Sequence, residues 1–205
     1  MDKKYIYLLL FIVAGTVGGI AFVKQLQHKA IVALPIFGNP GHAIGNYTFV
    51  NQNGDAVTPA VFENKIYVAD YFFTTCKSIC PIMSNTLQRI DSVYATENRI
   101  KYISHTVDPE YDSVPVLAAY AKAHNANATK WNFVTGNKKE LYDVARTMYL
   151  LPKLEAGDGG PDDFIHSQYL VLVDTKKRIR GFYDGTSPKD EKKLIADIKT
   201  LLEEE

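Results

Sequence analysis

Apolar positions along this chain alternate between two periods. Lys65–Phe73 is a nearly unbroken β-branched and aromatic run, which predicts a buried strand. Ile100–Val107 is a second such run, and Trp131–Val134 is a shorter one. Between them the spacing turns helical. From Pro81 to about Thr96, residues Ile82, Met83, Leu87, Ile90, Val93 and Tyr94 recur at steps of a helical face. Ser113–His124 predicts another helix, with Pro115 tolerated in its first turn, and Lys138–Tyr149 a third. Tyr47–Val50 and Ala56–Thr58 flank Asn51-Gln52-Asn53-Gly54-Asp55, a hairpin turning at Asn-Gly. Gln168–Asp174 and Arg178–Tyr183 form strands joined at a Thr-Lys-Lys turn. Lys189–Leu202 closes the chain as a helix, with Leu194, Ile195, Ile198, Leu201 and Leu202 on one face. A hairpin, a β-α-β-α-β-α series, a second hairpin and a last helix predict an α/β fold: a central sheet with helices on both faces.

One run does not belong to that domain. Lys3 and Lys4 precede an uncharged stretch from Tyr5 to Val23, closed by Lys24. As a helix it would span roughly 28 Å, enough for a hydrocarbon core of about 30 Å. A signal peptide usually has a shorter apolar core. The stretch therefore predicts an uncleaved N-terminal transmembrane helix. The first arginine is Arg89, which argues against a mitochondrial presequence. The expected organisation is a membrane anchor over 1–28, a linker over 29–44 broken by Pro35, Gly38 and Pro40, and one domain over 45–205. The expected location is the bacterial cytoplasmic membrane, single-pass, with the domain on the extracytoplasmic, periplasmic side. A formal net charge of zero with no basic run argues against nucleic acid as a partner.

The chemistry concentrates in Phe73-Thr74-Thr75-Cys76-Lys77-Ser78-Ile79-Cys80-Pro81, which holds both cysteines of the 205-residue chain. Two thiols there can cycle between dithiol and disulfide, or hold a soft metal together. A purely structural bridge across so short a loop would gain little from loop entropy. A thiol pair at the first β-to-α junction of such a fold is the thioredoxin-like arrangement, here with three residues between the cysteines instead of two. Pro81 fits the first helical position, which would make Cys80 the N-cap, where unpaired N–H groups and the helix dipole favour a thiolate. Lys77 adds a positive charge beside the pair.

With these residues in hand, the chain resembles the SCO1/SenC family of membrane-anchored copper chaperones. The likeness rests on the Cys76–Pro81 site, on Val107-Asp108-Pro109-Glu110-Tyr111-Asp112, on Trp131-Asn132-Phe133-Val134-Thr135-Gly136, and on Ile165-His166-Ser167-Gln168-Tyr169-Leu170. The resemblance implies a thioredoxin-like fold and a copper ion held by Cys76, Cys80 and His166. It implies a role in assembling the dinuclear copper site of cytochrome c oxidase. The partner would be the copper-bearing oxidase subunit or another copper or thiol target. The chain departs from many members in having Lys77 after the first cysteine and Ile165 before the histidine. A second reading is a membrane-tethered thiol–disulfide oxidoreductase that reduces target cysteines; it would have no need of His166.

The loop Leu151–Phe164, rich in Gly, Pro and Asp, would let His166 approach the thiols. His28, His42, His105 and His124 are expected to be structural. Asp108 is expected to be a turn residue. Met83 and Met148 are expected in the core.

Overall fold

The computed structural model describes residue 4, residues 33–151 and residues 167–204. The run Tyr5–Val23, His28, the acidic loop from position 152 and His166 lie outside the described residues. No described helix is long and apolar enough to cross a membrane.

The strands are β1 (Phe49–Asn51), β2 (Ala56–Val57), β3 (Ile66–Phe72), β4 (Ile100–Thr106), β5 (Trp131–Thr135), β6 (Tyr169–Val173) and β7 (Ile179–Asp184). The helices are α1 (Ile79–Val93), α2 (Val114–Ala123), α3 (Lys138–Asp143) and α4 (Pro188–Glu204). A π-helical turn, Val144–Met148, prolongs α3, and a short 3-10 turn at Pro59–Phe62 leads into β3. The strands form one sheet in the order β2-β1-β5-β4-β3-β6-β7. β3, β4 and β5 are parallel, joined through α1 and α2; β6 runs antiparallel to β3.

All seven residues of β3 are buried, as its apolar run requires. Alternate side chains enter two separate cores. Ile66, Val68 and Phe72 meet Met83, Leu87 and Ile90 of α1, Leu117 of α2, and Leu194, Ile198 and Leu201 of α4. Tyr67, Ala69 and Tyr71 meet Leu141, Tyr142 and Ala145 from α3 and its extension. Three helices thus cover one face and α3 the other. Full burial of a leucine such as Leu87 contributes about 2 kcal/mol. Met83 lies in the first core and Met148 packs against the second, as expected.

The first hairpin turns where Asn-Gly predicts it. Gly54 has φ +86°, and Asn51 Oδ1 accepts the N–H groups of Asn53 and Asp55. Leu34 to Ile44 is laid along β7 and its turn. Phe37 N–H donates to Ile179 O at 2.9 Å, and Ile44 N–H to Lys177 O at 2.8 Å. Arg180, only 4% exposed, donates to the carbonyls of Leu34 and Pro35 and pairs with Asp174 and Glu204.

Candidate dithiol metal centre

β3, an interior strand, delivers the chain to the C-terminal end of the parallel strands, and α1 begins beyond a short loop. Cys76 lies in that loop and Cys80 in the first turn of α1; both are free thiols, 9% and 3% exposed. Helix α1 starts at Ile79, with Ser78 before it. Pro81 is therefore its third residue and Cys80 is not the N-cap, which corrects the sequence expectation. Proline is tolerated there because N–H groups in a first helical turn have no intrahelical acceptor. Ser78 makes no side-chain cap. Cys76 Sγ takes that role, accepting the Cys80 N–H at 3.4 Å, with the Ser78 hydroxyl at 3.7 Å.

The two thiols differ sharply. Burial alone would raise Cys76, but hydrogen bonds from the Cys80 side chain and backbone and from Ser78 outweigh it and bring the thiol down from 9.0 to about 7. Cys80 is pushed up to about 12, first by burial and then by the hydrogen bond it gives to Cys76. A backbone hydrogen bond at Phe73 works against that rise, and the charges of Cys76 and Asp70 add to it. The helix terminus thus activates the first cysteine rather than the second. At neutral pH the pair offers one ready thiolate and one held proton. Lys77, between them in sequence, is exposed.

Two buried carboxyls lie near this loop, and one of them, Asp112, holds it directly. Asp112 is wholly buried. Its Oδ2 accepts the Thr74 N–H at 3.1 Å and the Thr106 hydroxyl at 2.5 Å, and its Oδ1 accepts the Thr74 hydroxyl. Asp70, in the middle of β3, accepts a hydrogen bond from Ser104 Oγ at 2.5 Å, and Ser104 Oγ in turn accepts Trp131 Nε1–H at 2.9 Å. Burial raises Asp70 from 3.8 to about 7, with the Ser104 bond pulling the other way. Sequence reasoning missed both. A lone acid inside the Ile66–Phe72 run was the available signal for Asp70. For Asp112, the Asp-Pro turn drew attention to Asp108. Asp108 is the turn residue expected: its carbonyl accepts the N–H groups of Tyr111 and Asp112.

The described histidines keep structural places. His105 is fully buried, stacked on Tyr71 at 4.7 Å between ring centroids, and burial lowers it to about 3. The His42 ring meets Met148 O through Nε2 at 2.8 Å, and His124 ends α2. Among the described residues no group of three or more His, Cys, Asp or Glu side chains could hold a metal. Cys76 and Cys80 come together, whereas His166 lies outside the described residues. Ala69 pairs with Val171 in antiparallel register, so β6 starts at the end of the sheet from which β3 leads to Cys76.

A parallel β-α-β core flanked by antiparallel strands, with two thiols at the head of its first helix, defines a thioredoxin-like dithiol protein. The SCO1/SenC family model matches residues 38–203, and the chain belongs to that family. The SCO1 protein homolog of Bacillus subtilis (strain 168) is 28% identical over 158 residues, covering 75% of this chain and 80% of the relative. The structure of BsSco, described as a member of the Sco family of cytochrome c oxidase assembly proteins with a disulfide switch, superposes with a TM-score of 0.66. It is 26% identical, over 78% of this chain and 93% of that one. Arabidopsis thaliana ScoI with copper bound superposes with a TM-score of 0.63 at 24% identity, over 80% of this chain and all (100%) of that one, a likeness of fold.

Proposed function

We propose that this chain is a membrane-anchored copper-binding assembly factor that delivers copper for the dinuclear copper site of cytochrome c oxidase. One observation carries the reading: two sulfurs converge at the head of α1, and one of them is a thiolate near neutral pH. Cu(I) is soft and prefers thiolates, with imidazole as a compatible third ligand. Cys76 and Cys80 supply the sulfurs and His166 the imidazole. Support for His166 comes from Ser167, its buried neighbour in sequence, which leads into β6 at the Cys76 end of the sheet. Family membership and the copper-bound relative support copper as the cargo.

Residues 1–28 form the anchor in this reading, and the tether ends where Leu34 docks on the domain. The domain faces the extracytoplasmic side of a bacterial membrane. Metal loading is linked to redox state, because oxidation to the disulfide removes both thiolates as ligands.

Thiol–disulfide exchange is the second reading, and the unequal thiols favour it. A thiol near 7 is a competent attacking nucleophile at neutral pH, and one near 12 waits as the resolving partner. One pair of variants of the full-length chain separates the two. His166→Ala weakens Cu(I) binding in anaerobic titration and leaves the dithiol–disulfide couple intact, whereas Cys76→Ser abolishes both. If copper delivery is the main task, cells carrying His166→Ala lose oxidase activity and added copper partly restores it. A normal His166→Ala strain at wild-type protein level and low copper would overturn the delivery reading and leave the oxidoreductase.

A further inference from the structure

We propose that Asp112 is a positioning residue for the thiol pair: its buried carboxylate clamps Thr74 to Thr106 and thereby fixes the loop that sets Cys76 Sγ over the first turn of α1. The inference rests on the reading of Cys76 and Cys80 as the functional pair.

The loop from Phe73 to Ser78 is held partly by its own contacts, among them Cys76 Sγ with the Ser78 hydroxyl at 3.7 Å. Cys76 N–H donates to Phe73 O at 3.2 Å, and Cys76 Sγ accepts from Cys80 N–H. The stronger hold comes from outside. Asp112 is 0% exposed and reaches the loop across 38 positions of sequence. It accepts from Thr74 through both the backbone N–H and the hydroxyl, and from the Thr106 hydroxyl. Each partner donates to a carboxyl oxygen of Asp112, so no group in the cluster faces its own kind. Thr106 is the last residue of β4 and pairs with Phe72, the last residue of β3. Its hydroxyl also accepts the Asp108 N–H at 2.9 Å. Asp112 sits one residue before Ser113, the N-cap of α2. One carboxylate therefore ties the ends of β3 and β4 and the start of α2 to a point two residues before Cys76.

Such a carboxylate does for a sulfur ligand what outer carboxylates do for metal-bound histidines. It limits the swing of the loop that carries Cys76, acting through Thr74; losing a carboxylate bonded directly to a ligand costs about 10- to 100-fold in metal affinity. The Asp112→Asn change keeps one acceptor oxygen but turns an NH₂ donor toward a donor. The Asp112→Ala change leaves the Thr74 N–H and both hydroxyls without their acceptor.

The test compares Asp112→Asn, Asp112→Ala, Thr106→Val and Thr74→Val with the wild-type full-length protein, and uses Asp174→Asn as a control for loss of a buried carboxylate remote from the loop. Three quantities are read: the unfolding midpoint, anaerobic Cu(I) affinity, and, without metal, the equilibrium of the Cys76–Cys80 couple with dithiothreitol. In that equilibrium the dithiol gives up two protons and two electrons to the oxidised reagent as its disulfide forms.

The expected result is a graded loss of Cu(I) affinity, smallest for Thr106→Val and largest for Asp112→Ala. A shift of the couple toward disulfide of about tenfold, or about 30 mV, accompanies the Asp112 variants. Asp174→Asn lowers the unfolding midpoint and moves neither site reading. If the Asp112→Ala variant does not fold, Thr74→Val and Thr106→Val decide, since each removes one hydroxyl without emptying the cluster. Asp112 variants with a lowered midpoint but wild-type couple and Cu(I) affinity overturn the proposal. The couple is read without metal, so the clamp is tested even if the wild-type chain binds no copper. In that case the copper reading falls and the positioning role stands or falls on the couple.

Discussion

Replacing Asp70 by Asn removes a carboxyl that the fold keeps protonated up to neutral pH. The side chain lies in the middle of β3, 1% exposed, and burial raises it from 3.8 to about 7. Between those values the unfolded chain has lost the proton and the native chain still holds it. The native state then binds more protons, so stability falls as pH rises through this window. The full rise corresponds to about 4 kcal/mol of stability missing above about pH 7. Asparagine is neutral at every pH and keeps an oxygen for the Ser104 hydroxyl, so it escapes that cost.

His105 tilts the wild-type profile the other way. Burial lowers it from 6.5 to about 3, so the unfolded state takes up a proton first as pH falls, and stability drops on the acid side. The two slopes oppose each other in the wild-type protein, and the difference between variant and wild type isolates Asp70. Urea unfolding of the reduced protein at a series of pH values measures it. The expected difference is near zero at about pH 4 and grows to a few kcal/mol in favour of Asp70→Asn at about pH 8. The variant alone should also lose stability steeply toward acid, because the His105 slope is no longer opposed. A difference that stays constant with pH, or a variant that is the less stable protein at the alkaline end, would refute the reasoning.

Two further predictions concern the thiols and the β7 edge. In the reduced, metal-free protein, iodoacetamide should modify Cys76 with a rate half-maximal near the pH of its lowered value, about 7, while Cys80 stays unmodified; peptide mass spectrometry reads this, and preferential labelling of Cys80 would contradict it. Arg180→Ala leaves the buried Asp174 carboxylate with Arg178 as its remaining cationic partner and frees the Leu34 and Pro35 carbonyls. A loss of about 3 kcal/mol in urea unfolding, with new protease cleavage between Leu34 and Ile44, is expected; unchanged stability would show that the buried network contributes nothing net.

Strands and helices were legible in the order of apolar periods, because a strand buried on both faces and a helix buried on one leave different spacings. The same reading located the two thiols at the β3–α1 junction, since only that junction carries cysteine. It placed the start of α1 two residues late and activated the wrong thiol. Proline marks a first turn without fixing the position within it, and the cap that starts the helix is a sulfur from the preceding loop. Asp112 was hidden for a related reason. Its partners, Thr74 and Thr106, lie 38 and 6 positions away and meet only when β3, β4 and α2 are assembled. The location of Asp70 was visible, but its protonation was not, because burial by α1, α2 and α4 on one face and α3 on the other is a property of the packed sheet. Local spacing decides which segments are strands or helices and which residue types they carry. Desolvation and long-range hydrogen bonds decide which thiol ionises and which carboxylate holds it in place, and both arise only when segments distant in sequence exclude water from one another.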